Sequence, residues 1–348
     1  MQEVDYIVVG LGIAGLSFCE QLRDHNKRFI VYDHSEKGAT LTSAGVLNPT
    51  VLKRFTRVWN AEKHLEEAKQ LYSRLAKELN QSFFTEIPIL RRINSVEEQN
   101  NWTVKSDKRE MEPFLSPEII DNDNPNINAP FGFGKVLGTG RIDTHVMLNA
   151  YKERLHEKQC LKEEYFKHSF LVENKDHVTY RTIRADHIVF AEGPKVVHNP
   201  YFQKDQLISN KGEYLIIHAP KLKLDSILKA SIFIIPIGDD HYKVGATYSH
   251  GDYTSSPTTA AREELISKLA YIISCPYQIK DQVAGVRPTT RDRRPLLGPI
   301  ESNSRISFFN GLGTRGIIAA PSLSKQLFNF LENGIELPGE IDIRRNLN

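Results

Sequence analysis

Cysteine is scarce in this chain: Cys19, Cys160 and Cys275 are the only three in 348 residues, and they lie far apart. That scarcity excludes a disulfide framework, and no pair has the spacing of a metal-binding motif. Each reads as a small buried or half-buried filler, and the odd number fits a reducing cytoplasm. Charge of one sign is lacking too. Forty-five Lys and Arg against 43 Asp and Glu leave a formal net charge of +2, far from the basic excess of a dedicated nucleic-acid binder. Long hydrophobic runs are missing as well. The apolar stretch MQEVDYIVVGLGIAGLSF is broken by glycine and polar residues, and it has neither a basic n-region nor a cleavage site. The sequence therefore predicts a soluble, cytoplasmic protein with no membrane span. The 12 histidines include no pair at metal-ligand spacing with supporting ligands, so no metal is expected; His241 and His250 read as surface or loop residues. No internal repeat or low-complexity tract stands out.

What is present is ordinary for a globular chain, 40% hydrophobic and 25% charged, and long enough for two domains or one domain with a large insertion. Tyr6-Ile7-Val8-Val9 is a fully apolar run, as a buried parallel strand requires. It leads into GLGIAG, then a helix-like segment from Leu16 to Arg23, then the β-branched and aromatic run RFIVYD. Ala61, Leu65, Ala68, Tyr72, Leu75 and Leu79 recur at helical steps over 61–79. RIDTHVMLNAYKERL predicts another helix, capped by Asp143 or Thr144. DNDNPNINAP is turn chemistry. EYLIIHAP, ASIFIIPIG and HYKVGATYS read as antiparallel strands of a separate sheet. The tail predicts strand, glycine loop and helix, with Pro321 near the helix's first turn and Gly334 as its stop.

GLGIAG places Gly10, Gly12 and Gly15 in the dinucleotide-binding pattern. Gly10 permits the tight turn, Gly12 lets backbone N–H groups approach a pyrophosphate, and Gly15 allows close packing of helix on strand. Asp33 follows 18 positions after Gly15 at a strand end, where a carboxylate accepts ribose hydroxyls. FAD is favoured over NAD for three reasons. The motif comes first in the chain, GATLTSAGVLNP follows it closely, and two further glycine stations, AEGP and NGLGTRG, come much later. One Rossmann loop covers only the pyrophosphate of so long a cofactor.

With these segments in order, joined by GRIDTHVML, KGEYLIIHAP, KVGATYSHGDY and AGVRPTTRDRRPLLGP, the chain resembles the D-amino-acid oxidase type of FAD-dependent oxidoreductases. Its nearest branch is that of glycine oxidase and related amine oxidases. The resemblance implies an α/β fold, a Rossmann-type FAD-binding domain joined discontinuously to a substrate domain built on an antiparallel sheet. The FAD-binding domain would comprise residues 1–79, 138–209 and 281–348, and the substrate domain residues 80–137 and 210–280. Flavin contacts are implied at Gly10, Gly12, Ile13, Ala14 and Gly15, at Asp33, at Thr42, Ser43, Ala44 and Gly45, at Ala191 and Gly193, and at Gly311, Gly313, Thr314, Arg315 and Gly316. The last loop holds neither Cys nor His, and Leu312 stands where some relatives attach flavin covalently; noncovalent FAD is expected.

The resemblance also separates the arginines of GVRPTTRDRRP. It makes Arg287, the arginine of G-x-R-P, the catalytic clamp on the substrate carboxylate, a grip that a planar guanidinium makes bidentately. The clamp would aim the substrate Cα–H at flavin N5, so no protein nucleophile is needed. Arg291, Arg293 and Arg294 read as a solvated or locally paired turn with Asp292, although the doubled Arg293-Arg294 departs from the small residues common among relatives. Arg315 either adds to the flavin contacts or points at substrate. Phe233 stands where glycine oxidases tend to carry tyrosine, and Tyr248 either supplies the missing hydroxyl to the substrate or packs on the sheet.

The implied activity is oxidation of the C–N bond of a small amino acid or a carboxylate-bearing secondary amine, by hydride transfer to flavin and hydrolysis of the imine. Dioxygen or an electron carrier is the acceptor, an oxidase being favoured over a dehydrogenase. One alternative is an oxidase acting on carboxymethylaminomethyl-uridine in tRNA; no other nucleic-acid partner is expected. Another is a flavin-binding protein without amine turnover. Oligomeric state is not legible.

Overall fold

The buried run Tyr6–Val9 lies in the strand Gln2–Val9, which pairs in parallel with Phe29–Tyr32 on one side and Ile183–Phe190 on the other. A computed structural model describes residues 1–34, 38–301 and 304–345. Ile306–Asn310 extends this sheet in parallel beyond Ile183–Phe190 and completes the eight-stranded sheet with its antiparallel neighbour Leu296–Pro299. Both faces are covered, which explains why these strands are apolar throughout instead of alternating. One face carries the helices Ile13–Asp24, Ala61–Glu78, Thr144–Glu157 and Gly316–Asn333 over Leu16, Phe18, Tyr72 and Leu323. The other face is aromatic: Phe166 stacks on Tyr180 at 4.1 Å between ring centres and meets Phe190 edge-on.

The helices are tied by one buried acid. Glu20, fully buried in the Ile13–Asp24 helix, accepts from Tyr151 at 2.9 Å, Arg23 at 2.8 Å, Arg74 at 3.1 Å and Arg154 at 3.4 Å. Four donors replace the hydration a carboxylate loses on burial.

The second sheet has nine strands; near one edge Ile208–His218 pairs antiparallel with His241–Gly245 and along its whole length with Gln278–Thr289. Phe233–Gly238 follows beyond His241–Gly245. The strand carrying Arg287 thus belongs to this sheet, and the expected division at residue 281 falls inside it. In His241–Gly245, Tyr242 and Val244 enter the core under the Thr259–Ala270 helix, with Leu265 and Leu269, so Lys243 and Gly245 project from the opposite face.

The expected helix over 61–79 forms as Ala61–Glu78, Asp143 caps the next through the N–H groups of His145 and Val146, and Gly334 ends the last at φ +64°. Pro321 differs from its expected place. The last helix begins at Gly316, so Pro321 sits inside it, a turn beyond the start. A proline there has no N–H for the carbonyl of Ile317. The Tyr72 hydroxyl donates to that carbonyl at 2.6 Å, and the helix continues.

His64 is buried on the same helix pair, with Nδ1 against Ser322 Oγ and Nε2 without a partner among the described residues. Burial, with Lys63 adding, pushes its imidazole down from 6.5 to about 4, and His187 is likewise pushed down to about 4 by burial. Between those pH values the unfolded chain binds the proton and the folded chain does not, so stability is lost as pH falls through the window. Urea midpoints at pH 7 and 4.5 should therefore differ, His64 contributing up to about 3 kcal/mol. His64→Gln should shrink the difference; an unchanged difference would show that His64 titrates without cost to the fold.

Candidate functional site

The end of the first strand meets three separate glycine stations. Gly10 adopts φ +97°, and a Cβ there would stand 2.5 Å from the Ala191 carbonyl oxygen, so the AEGP segment passes directly against the loop. A Cβ on Gly15 would overlap the Gly10 carbonyl. Asn310 Nδ2 donates to the Gly193 carbonyl at 2.9 Å, joining AEGP to NGLGTRG, and a Cβ on Gly316 would lie 3.1 Å from Ile13. Residues remote in sequence thereby form one cradle at the C-terminal ends of the parallel strands, where open α/β sheets place their ligands.

Two helices begin at this cradle. The Ile13–Asp24 helix starts after Gly12, which has no side chain to cap it, and the Gly316–Asn333 helix starts after Arg315, whose side chain makes no cap. Neither has an acidic residue in its first turn, so both positive ends stay available to an anion. Thr40 Oγ1 accepts from Ile13 N at 3.0 Å, Asp33 Oδ1 accepts from Leu11 N at 2.9 Å, and Asp33 Oδ2 pairs with Lys152 at 2.8 Å. A glycine loop with no acidic residue in the helical turn it opens, and with Gly10 and Gly15 packed too closely for any Cβ, fits a dinucleotide pyrophosphate.

Arg287 stands opposite Asn210 on the nine-stranded sheet. Its Nη1 donates at long range to Asn210 O at 3.4 Å and Oδ1 at 3.5 Å, and its guanidinium carbon lies 4.9 Å from the Tyr248 ring centre. No carboxylate pairs with it among the described residues. Gly212 makes the room, since a Cβ there would overlap the guanidinium. Gly313 N donates to the Pro288 carbonyl at 2.8 Å, tying this strand to the second glycine loop. Arg315 donates to the carbonyls of Asn48 at 3.0 Å and Thr50 at 3.1 Å; burial lowers its pKa, and the Tyr248 hydroxyl is the titratable group that acts on it in opposition.

The structure thus brings Arg287 and Tyr248 together, and the hydrogen bond from Gly313 to Pro288 joins their sheet to the loop of Arg315; Tyr248 is 65% exposed. Phe233 is set apart. The register runs Phe233 to Gly245 to Tyr214 to Val283, three strands across and four residues along from Arg287, with the Lys229 ammonium 4.7 Å from its ring centre. Arg291 and Arg293 are exposed in their turn. Arg294 instead lies 5.0 Å from the Trp59 ring centre and pairs with Glu340 at 3.0 Å, while Asp292 pairs with Arg345 at 2.9 Å. Sequence reasoning passed over Gly212 and Lys243. Gly212 had a signal, since a glycine inside a strand marks close approach; Lys243 had none, because alternation puts it on the face opposite Tyr242 and Val244, which the sequence does not distinguish from a solvated face. Among the described residues no group of His, Cys, Asp and Glu could hold a metal, and no helix is long and apolar enough to cross a membrane.

A family model described as FAD dependent oxidoreductase matches residues 5–329. The glycine oxidase of Bacillus subtilis is 24% identical, over 94% of this chain and 92% of its own length. A crystal structure of glycine oxidase from Geobacillus kaustophilus superposes with a TM-score of 0.80 at 19% identity, covering 97% of this chain and 96% of that one. A bifunctional protein of tRNA 5-methylaminomethyl-2-thiouridine biosynthesis from Idiomarina loihiensis is 26% identical, over 33% of this chain and 20% of its own length.

The space at Gly212 supplies a test of the clamp. Gly212→Ala should displace the guanidinium and weaken binding of a simple carboxylate such as acetate by about tenfold or more, with FAD content and circular dichroism unchanged. Wild-type carboxylate affinity in that variant would show that Arg287 is not the anion site.

Proposed function

The chain belongs to the FAD dependent oxidoreductase family over nearly its whole length, and on that premise we propose that it oxidises the C–N bond of a small amino acid or carboxylate-bearing secondary amine. The observation that carries this reading is the guanidinium of Arg287, cleared by Gly212, without a carboxylate partner among the described residues, and joined to the flavin cradle through Pro288 and Gly313. When bound, FAD supplies a two-electron acceptor for the hydride leaving the substrate Cα and a route for those electrons to dioxygen, giving hydrogen peroxide. Arg287 grips the carboxylate and fixes the orientation of Cα, and Tyr248 lies over the guanidinium. Loss of the hydride and of the amine proton leaves an imine, which water splits into a carbonyl compound and an amine. Arg315 and the backbone donors at the start of the last helix place positive charge at the cradle, where reduction adds negative charge.

Anaerobic titration with glycine, sarcosine, D-amino acids and proline should bleach the flavin with at least one of them. If none does, the protein holds flavin without amine turnover and the proposal fails. Arg287→Met should keep FAD and lower kcat/KM by about a hundredfold, the scale of a lost charged hydrogen bond.

A second reading, a substrate amine carried on tRNA, is favoured by the surface beside the site. Lys53 and Arg54 are exposed at the tip of the hairpin Thr50–Val51/Thr56–Arg57, whose base Arg315 holds. Trp59 and Arg294 join that hairpin to the turn of Arg291 and Arg293. None of these four exposed cations has an acidic partner among the described residues, and the aromatic rings of Tyr248 and Tyr253 are 65% and 50% exposed. Cations beside exposed aromatics suit a single-stranded loop with a splayed base. A glycine-like amine on a uridine would still use Arg287. Bulk tRNA should then bind with an affinity that falls with salt at a log–log slope of about −3, and Lys53→Glu with Arg291→Glu should abolish binding without changing turnover of a free amine. Salt-independent or absent binding removes this reading.

A further inference from the structure

Lys243 is a buried cation, 8% exposed, for which the clamp and the glycine loops have no direct use. Its Nζ donates to the carbonyls of Thr42 at 2.6 Å and Ser43 at 2.8 Å and lies 4.9 Å from the Tyr214 ring centre. The three donors of an ammonium are met by two carbonyls and a ring face. No carboxylate pairs with it among the described residues. Burial, with Arg141 adding and Asp143 opposing, pushes the amine down to about 8. An apolar side chain of similar volume would avoid that desolvation, so packing alone does not explain a lysine here.

The carbonyls it holds explain more. Thr42 and Ser43 end the short helix Ala39–Thr42, where carbonyls lack intrahelical donors. The nine-stranded sheet presses on the same residues from a second strand: Thr42 Oγ1 lies 3.4 Å from the Ala284 carbonyl oxygen, and a Cβ on Gly285 would stand 2.7 Å from Thr42. Two residues earlier, Thr40 accepts from Ile13 N in the first glycine loop. A continuous path therefore runs from Lys243 through Thr42 and Thr40 to Ile13, and Ala284 and Gly285 on the Arg287 strand abut it.

We propose that Lys243 is a positioning residue that clasps the Thr42–Gly45 segment to the substrate sheet, so that this sheet helps to hold the FAD and places a positive charge beside it. The proposal rests on the reading of Thr42–Gly45 as a flavin contact and does not depend on which amine is oxidised.

The test uses the full-length protein without substrate. FAD affinity is measured by titrating the apoprotein, the flavin midpoint potential by reductive titration, and stability by thermal unfolding of the apoprotein. Lys243→Met should weaken FAD about tenfold or more and lower the potential, by about 30 mV for each tenfold loss of preference for reduced over oxidised flavin. Its apoprotein should melt no lower than the wild type. Lys243→Arg, which keeps charge and donors, should recover most of both losses. Should Lys243→Met fail to fold, Lys243→Gln keeps a donor for the carbonyls and reads the charge alone, as a lowered potential. Wild-type affinity and potential in Lys243→Met, or a wild-type potential in Lys243→Gln, overturns the proposal. A protein that no amine bleaches, yet shows these shifts, loses the proposed oxidation and keeps the clasp.

Discussion

A carboxylate beside a guanidinium closes it to any other anion, and three cations around the cradle escape that closure. Arg287, Arg315 and Lys243 each donate to backbone carbonyls and have no acidic partner among the described residues. Carbonyl dipoles hold such a side chain in place without cancelling its charge. The contrast with the helical face is direct, where Arg23, Arg74 and Arg154 spend their charge on Glu20. The same residue type is structural in one layer and available for an anion in the other. What decides between them is whether the fold brings up a carboxylate or a main-chain oxygen.

Glycine sets the second condition. At Gly10 and Gly212 the missing Cβ is occupied by another group: the Ala191 carbonyl in one case, the Arg287 guanidinium in the other. The first brings two chain segments close enough to share one ligand. The second lets a long side chain lie flat on its own sheet, which limits the rotamers it loses when an anion arrives.

Much of this was legible in the sequence because it rests on local chemistry. The strand–GLGIAG–helix unit, the Asp143 cap and the Gly334 stop follow from neighbours within a few residues, and the ordered glycine stations identified the flavin family. What escaped depends on partners far along the chain. Lys243 meets Thr42 across 201 positions, and Glu20 meets Tyr151 across 131. Pro321 was expected nearer the helix start because proline favours that place; the Tyr72 hydroxyl, a distant group, lets it sit deeper. The pairing of Gln278–Thr289 with Ile208–His218 was hidden for a similar reason, since its inner apolar run Val283–Val286 marks a buried strand but does not name its neighbour.

The contact of Gly316 with Ile13 spans 303 positions, and the Glu332 carboxylate returns to Tyr6 and Lys27 of the first βαβ unit. Sequence separation of this size imposes a timetable. A ribosome delivers the GLGIAG loop early in synthesis, but Gly316, which packs against it, emerges 303 positions after Ile13. Until then Ile183–Phe190 lacks the pairing of Ile306–Asn310, and the helical face lacks the Gly316–Asn333 helix. A cradle built from all three glycine stations therefore exists only after the last of them has folded back, and a ligand that binds it stabilises the folded chain by mass action.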